Sequence, residues 1–309
     1  MTKVSVVVLN WNLSRLTVEC LESIKDSTID GFTLGIIVVD NASEKSTKTI
    51  EEELKKIKKQ KKIKTEFIRN SSNLGFAGGN NIGITYALKD KADFVTVLNN
   101  DTRVDGNLFV NLLKGMNKYE KAGVVSPKIY FEKGYEFHKE RYKPSDKGKV
   151  IWCAGGEIDW ANVMGKNMGV NEVDEGFYDK DKIIDFASGT CMFLRRDAIM
   201  QSGLFDEKYF MYLEDADLCI RLKKTGWESR YVHKAFLWHK VAQSSSIGGD
   251  LNDYFITRNR MLFGIRYAPL RAKAALIKES MKILIKGRKW QKKGIRDYYK
   301  NNLGKGSWV

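Results

Sequence analysis

The sequence predicts an α/β fold: an open doubly wound sheet flanked by helices, with a helical basic C-terminal extension. Three observations carry this. Short β-branched runs recur through the first hundred residues and each ends in a polar cluster. Segments with helical spacing of their apolar residues separate the runs. Beyond residue 250 the charge becomes strongly basic and glycine becomes scarce.

Val4-Ser5-Val6-Val7-Val8-Leu9 reads as a buried parallel strand that opens at its carboxyl end onto Asn10-Trp11-Asn12. Leu16, Cys20, Leu21 and Ile24 then mark a helix after Ser14. A second strand over 34–39 ends in Asp40-Asn41-Ala42-Ser43. The helix after it begins with Glu51, Glu52 and Glu53 and ends in lysines, an order that suits the helix dipole, and those lysines read as a solvated face. A third strand over 64–68 runs into Arg69 and a loop holding Asn73, Gly75, Gly78, Gly79, Asn80 and Gly83. Its glycines allow either a close backbone approach to a ligand, at a helix starting near Ala77 or Asn80, or tight helix-to-sheet packing. The dinucleotide fingerprint Gly-x-Gly-x-x-Gly is absent. The fourth strand, 94–98, ends in Asn99-Asn100-Asp101-Thr102. Ligands of open α/β sheets bind at the carboxyl ends of the strands, so Trp11, Asp40, Arg69 and Asp101 are expected to converge on one crevice.

Residues 123–129 read as a further strand and the Lys-rich stretch 132–149 as a mobile loop. Glu214, Asp215 and Asp217 stand at the start of a helix beginning near Leu213. Two readings are open there. Carboxylates at a helix N-terminus are stabilised by the dipole, which describes a capped surface helix. Asp215 also sits among Phe210, Met211, Tyr212, Leu213, Cys219 and Leu222, which describes a carboxylate facing a cleft and able to take a proton from an attacking hydroxyl.

Composition bounds the rest. At 309 residues, 43% apolar and 29% charged, the chain is that of a globular protein with one large core or two modest ones. No apolar run approaches the ~18 residues of a membrane span, and Met1-Thr2-Lys3 carries no signal-peptide pattern, so a cytoplasmic protein is expected. Cys20, Cys153, Cys191 and Cys219 have neither metal-ligand nor redox spacing and read as free thiols. Of the net charge of +15, residues 251–309 hold +12, from fifteen basic residues against three acidic ones. The stripe Ile277, Met281 and Leu284, flanked by Lys273, Lys278, Lys282 and Lys286, either lies on an anionic membrane surface or packs on the preceding domain.

The runs Val6-Val7-Val8-Leu9-Asn10-Trp11-Asn12, Val38-Val39-Asp40-Asn41-Ala42-Ser43, Asn73-Leu74-Gly75-Phe76-Ala77-Gly78-Gly79-Asn80, Leu98-Asn99-Asn100-Asp101-Thr102 and Gly203-Leu204-Phe205-Asp206-Glu207 through Glu214-Asp215-Ala216-Asp217-Leu218 resemble, in order, the family 2 glycosyltransferases of GT-A (Rossmann-like) fold. The rhamnosyltransferase-like enzymes of polysaccharide assembly are the nearest group. The resemblance spans roughly residues 3–245 and implies an open mixed sheet flanked by helices. It implies a catalytic domain over 1–245, with a nucleotide-binding half (1–102) and an acceptor half (103–245), ahead of the extension 246–309. It also implies inverting transfer of a sugar, with rhamnose from a dTDP donor suggested by the subgroup, from a dTDP-, UDP- or GDP-sugar to a glycan or lipid-linked acceptor. Carried over by position, Trp11 and Asp40 hold base and ribose, Arg69 assists at the base, and Asn10, Asn73, Gly75, Asn80, Asn99 and Asn100 complete the donor side. Asp101 matches the last position of the Asp-x-Asp motif, binding Mn2+ or Mg2+, and Asp215 matches the base. Ser188, Gly189 and Glu214 fall on the acceptor side, and His239 stands where members often carry a histidine of the metal shell, against the alternative of a core histidine beside Trp238. One departure is Asn99, which replaces the first aspartate of the motif and removes a negative charge. His138, in the loop, and His233, ahead of a strand, read as structural or exposed.

Two other classes fit less well. A nucleic-acid-binding protein would explain the pI of 9.4 and the Lys, Arg and Trp of the extension, but the predicted crevice is acidic, so no nucleic acid is expected. A sugar nucleotidyltransferase would carry a Gly-rich basic loop after the first strand, where this chain has Asn10-Trp11-Asn12-Leu13. Lipid-linked acceptors and the basic extension together predict peripheral association with the inner face of a membrane.

Overall fold

The β-branched run at residues 4–9 becomes the strand around which the sheet is assembled, because both of its faces find apolar cover. The computed structural model describes residues 1–61, 63–241 and 249–308. In chain order these form β1 (Thr2–Asn10), α1 (Ser14–Lys25), β2 (Phe32–Asp40), α2 (Lys48–Lys61), β3 (Lys64–Arg69), α3 (Gly75–Lys89), β4 (Phe94–Asn99), β5 (Thr102–Val104), α4 (Leu108–Lys118) and β6 (Ala122–Phe131). A 3-10 turn, Lys139–Arg141, precedes β7 (Ile151–Cys153), β8 (Gly156–Asp159), β9 (Met164–Asn167), β10 (Lys182–Ile184) and β11 (Cys191–Arg195). Then follow α5 (Arg196–Ser202), α6 (Glu214–Lys224), β12 (Glu228–His239), α7 (Asp250–Tyr267), α8 (Leu270–Lys286) and α9 (Lys289–Tyr299).

The main sheet runs β10-β12-β6-β11-β4-β1-β2-β3, with β5 added to β12 and β7 to β6. β3, β2, β1 and β4 are parallel, whereas β11 is antiparallel to both β4 and β6, so the sheet is mixed. β1 alternates its faces. Val4, Val6 and Val8 belong to one core with Cys20 of α1, Leu54 of α2 and Leu112 of α4, while Val7 lies in the opposite core with Ile84 of α3 and Leu218 of α6. Each of the first four strands runs to the polar residue that ends it. The register pairs Asn10 with Asp40, Asp40 with Arg69, and Leu9 with Asn99, so these ends lie level along one edge of the sheet.

Two glycines of the loop serve the tight helix-to-sheet packing foreseen for them, and a third a left-handed turn. A Cβ on Gly79 would lie 2.5 Å from Leu9 Cδ1, and one on Gly83 2.3 Å from Val7 Cγ1, so these two let α3 press onto β1. Gly75 has φ +71°, and a Cβ there would meet the Phe210 ring and carbonyl at 2.5 Å. The helix starts at Gly75, two residues before the earlier of the expected starts.

His233 lies within β12, at the bulge between Val232 and Phe236, and not ahead of the strand. Its Nδ1 is 2.7 Å from Asp181 Oδ1. The stretch 132–149 is irregular but tied: buried Glu136 accepts from the Gly134 and Gly148 amides at 2.8 and 3.0 Å. The four cysteines are buried free thiols.

The three last helices pack on the α3 and α6 side of the sheet, where Met261, Phe263, Leu276 and Ile295 join the core and Phe263 stacks on Trp160 at 5.7 Å. The stripe of α8 is split by this packing. Leu276, Ser280 and Leu284 turn inward, and Ile277, Met281 and Ile285 stay exposed. Among the described residues no helix is long and apolar enough to cross a membrane. The expected boundary at 245/246 lies outside the described residues.

Candidate active site

Two cavities open at the carboxyl edge of the sheet and share part of one wall. The first, about 410 Å³, is lined by Trp11, Asn73, Gly75, Asn99, Asn100 and Asp101 among others. The second, about 450 Å³, is lined by Asp215, Glu214, Ser188, Gly189, Asp101 and His239, with Trp152, Phe137 and Phe186 as aromatic cover. Phe76, Asn99, Asp101 and Met211 belong to both.

Five of the nine donor-side residues expected from the sequence reach the first cavity, and four do not. Asp40 is fully buried, its carboxylate accepting from Asn10 Nδ2 at 2.8 Å and from the Ser43 amide at 3.2 Å. Asn10 Oδ1 accepts from Thr17 Oγ1, and Thr17 Oγ1 accepts from Asn100 Nδ2 at 2.9 Å, so a buried chain of polar groups links Asp40 to the cavity wall at Asn100. Arg69 lies outside that wall, its Nη2 donating to the Ser43 carbonyl at 2.9 Å and its Nε 3.6 Å from Asp40 Oδ2. Asn80 is buried and donates back to the Phe76 carbonyl at 2.9 Å. Trp11, by contrast, is 42% exposed at the cavity mouth, where an indole face is free to stack on a planar ring.

Asp101 and His239 come together from strands far apart in sequence. His239 ends β12, which pairs with Thr102 of β5, and its Nε2 lies 3.1 Å from Asp101 Oδ1. That contact lacks hydrogen-bond geometry: Asp101 Oδ1 and His239 Nδ1 are both buried without a partner. The facing pair, Asp101 Oδ1 with no hydrogen-bond partner and His239 Nε2, is of donor types that fit a hard or borderline divalent cation, Mn2+ or Mg2+. Among the described residues no cluster of three or more His, Cys, Asp or Glu is formed. The aromatic ring against His239 is Trp152, edge-on at 4.9 Å, because Trp238 points to the other face of β12.

The acidic stretch is no surface helix. Asp217 is fully buried and committed, holding Arg221 Nε at 2.7 Å, Tyr209 Oη at 3.0 Å and Tyr267 Oη at 2.8 Å. Asp215 faces the second cavity, and its two oxygens accept from the Gly189 amide at 2.9 Å and the Ala216 amide at 2.7 Å. Burial pushes its pKa up, and the backbone donors pull it part of the way back. Glu214 is raised well above its ordinary range, first by burial and then by the charge of Asp215, and its Oε2 has no partner. The two backbone donors favour the ionised form at Asp215, whereas Glu214, with Oε2 unpartnered, is the more strongly raised of the pair. Gly189 is held to this geometry: its amide orients Asp215, and a Cβ would meet Phe76 at 3.0 Å.

The backbone that delivers this pair is strained. Phe210, Tyr212 and Leu213 have φ of 64°, 70° and 71°, a region that bulky residues rarely occupy. Fully buried Asn259 of α7 donates through Nδ2 to the carbonyls of Tyr209, Met211 and Tyr212 at 2.9, 2.7 and 2.9 Å. Its neighbour Arg258 binds the Lys208 and Tyr209 carbonyls. Neither residue was singled out from the sequence. The available signal was a polar pair set inside the apolar positions Tyr254, Phe255, Met261, Leu262 and Phe263, a pattern that marks buried polar groups with an assigned partner. Lys305 and Trp308, which line the first cavity from beyond α9, were missed as well.

A family model described as Glycosyl transferase family 2 matches residues 5–203, more than half of the chain, and one described as Glycosyl transferase family group 2 matches residues 178–293. The chain belongs to glycosyl transferase family 2. This glycosyltransferase is 31% identical over 157 residues to the N-acetylglucosaminyl-diphospho-decaprenol L-rhamnosyltransferase of Mycobacterium tuberculosis (strain CDC 1551 / Oshkosh), a match covering 50% of the chain and 48% of that protein. The chain thus spans about half the length of the curated relatives it matches first. Its fold is similar to the mannosyltransferase PcManGT from Pyrobaculum calidifontis in complex with GDP-Man and Mn2+, with TM-score 0.57 and 13% identity over 96% of this chain and 74% of that one. It is also similar to S. aureus TarS 1-349 in complex with UDP-GlcNAc, with TM-score 0.58 and 15% identity over 96% of this chain and 79% of that one. At those identities the likeness establishes the GT-A fold alone.

Proposed function

We propose that the enzyme is an inverting, metal-dependent glycosyltransferase that moves a sugar, rhamnose being the first to test, from a nucleotide-diphosphate sugar to a hydroxyl of a polysaccharide or lipid-linked glycan. The observation that carries this reading is the shared wall. A donor seated in the first cavity, its base against Trp11, has its diphosphate at Asp101 and its sugar at the opening into the second cavity, where Asp215 waits. In a single displacement the acceptor O–H gives its proton to Asp215 while its oxygen bonds the anomeric carbon. The bond to the β-phosphate oxygen breaks, and its electron pair leaves on the nucleoside diphosphate. Asp101 and His239 would hold Mn2+ or Mg2+, whose chemistry is to neutralise the leaving diphosphate. Asn99, lacking the charge of an aspartate, bonds ribose or a water of the ion, and Asp40 and Asn10 support the wall from behind through the Thr17–Asn100 chain. Ser188, Gly189 and Glu214 border the acceptor.

The test is thermal stabilisation by UDP, dTDP and GDP, with and without Mn2+, on wild type and Asp101→Ala. A bound ligand at ~100 Kd stabilises by ~2.7 kcal/mol. One nucleotide is expected to raise the Tm in a metal-dependent way that Asp101→Ala abolishes. No shift with any of the three sinks the donor reading.

The acceptor side carries a second expectation. Exposed Leu270, Ile277, Met281 and Ile285 on α8 stand beside Lys273, Lys278, Lys282 and Lys286, an arrangement that supports docking on an anionic membrane near a lipid-linked acceptor. Vesicles containing phosphatidylserine should carry the protein down at low salt and release it at high salt. Protein that stays in the supernatant at low salt removes the membrane from the reading.

A further inference from the structure

The segment after α9 folds back to form part of the donor cavity, and both flanks of Lys305 are tied to buried groups. Arg258, fully buried, donates through Nη1 to the Gly304 carbonyl at 2.6 Å, and the Gly304 amide donates to the Lys208 carbonyl at 2.9 Å. On the other side the Ser307 amide donates to Asp297 Oδ2 at 2.8 Å, and Ser307 Oγ donates to Asp297 Oδ1 at 3.0 Å. Trp308 packs on Trp290 with ring centroids 4.6 Å apart. Gly306, with φ +58°, passes so close to Tyr254 that a Cβ would lie 2.1 Å from its hydroxyl. The segment is therefore a built wall, and it presents one ammonium group.

The charges around that ammonium are few. Of the described residues lining the first cavity, Glu44 and Asp101 are acidic and Lys305 is the basic one. Arg69, the cation expected there from the sequence, is turned to Asp40 and Ser43. Lys305 is exposed and, among the described residues, pairs with no carboxylate, so its charge is uncommitted. A flexible ammonium in a cavity wall is a point-charge phosphate binder, and it is most effective where negative charge grows on a leaving oxygen.

We propose that Lys305 binds the diphosphate of the donor and stabilises the nucleoside diphosphate as it leaves, making segment 303–308 a functional part of the donor site. This rests on the nucleotide-sugar reading above. It is tested by calorimetric titration of a nucleoside, its monophosphate and its diphosphate, in the uridine, thymidine and guanosine series with Mn2+, into the full chain, Lys305→Met and Lys305→Arg. In the series that binds, Lys305→Met should weaken the diphosphate about tenfold, leave the nucleoside unchanged and flatten the salt dependence of diphosphate binding. Lys305→Arg should stay within about threefold of wild type. Because Lys305 is exposed and, among the described residues, pairs with no carboxylate, the Tm of both variants should match wild type. A Lys305→Met protein with the wild-type preference for diphosphate over nucleoside overturns the proposal and leaves the donor reading standing. A wild-type chain that binds no member of any series overturns both.

Discussion

Replacing Asp215 with Asn is expected to lower kcat by about 10²–10⁴-fold while the nucleotide-induced rise in Tm persists, because the change removes a proton acceptor from the second cavity and leaves the first untouched. The pH behaviour separates this from a simple packing defect. Burial raises the pKa of Asp215 above the ordinary aspartate value of 3.8, and the base works only when ionised. Wild-type kcat/KM should therefore fall as pH drops through that raised value, at a pH higher than an exposed aspartate would give. Stability runs the other way. A carboxyl whose folded pKa is raised binds more protons folded than unfolded, so its contribution is fully present below the unfolded value and is lost as pH rises through the folded one. Glu214 acts in the same direction. Asp215→Asn should thus gain in Tm relative to wild type at pH 8, and the gain should shrink toward pH 4. A variant that turns over at the wild-type rate would remove Asp215 from the mechanism.

Asn259→Ala is expected to produce the largest combined loss, about 3 kcal/mol of stability and about 10²-fold in kcat. One amide group holds three carbonyls of the loop in which Phe210, Tyr212 and Leu213 are left-handed. Without it, buried acceptors at roughly 1–3 kcal/mol each lose a donor, in part replaced by water, and the strain is released. Asp215 begins two residues beyond that loop, and a shift of ~1 Å in a reacting group costs about 10² in rate. Denaturant unfolding and turnover on the same preparation check both numbers. Asn259→Ala with wild-type stability would show that the strain is held by other contacts, Arg258 first among them.

Much of the fold was legible because its causes are local. A run such as residues 4–9 is β-branched and apolar throughout, which only a strand buried on both faces accommodates, and each such run announces its carboxyl end with Asn, Asp or Arg. The helix carrying Asp215 was equally visible, since three carboxylates stand at its start and apolar positions follow with helical spacing. Composition likewise identified the basic helical extension. Each of these is a property of a dozen neighbouring residues.

What the tertiary structure decided involves residues brought together across the chain. Which of three adjacent carboxylates faces a cavity depends on where α6 lands: Asp217 is turned to Arg221, Arg266 and two tyrosines, and Asp215 to the Gly189 amide. The antiparallel insertion of β11 between β4 and β6, and the pairing of β12 with β5 that sets His239 against Asp101, leave no periodicity to read. Asp40 and Arg69 stand at the strand ends as foreseen, yet their side chains satisfy each other and Ser43 behind the wall, because a buried carboxylate is stabilised by the nearest donors available. Arg258, Asn259 and Lys305 lie in a segment whose composition reads as basic helices, and they join the site only because α7 and the segment after α9 fold back onto the loop at 208–213. The sequence by itself determined the first four strands, the helices between them, the helix of Asp215 and the chemistry available at their ends. The packing of the last three helices decided which groups reach the cavities, since the cost of burying each polar group is set by partners that lie far away in the chain.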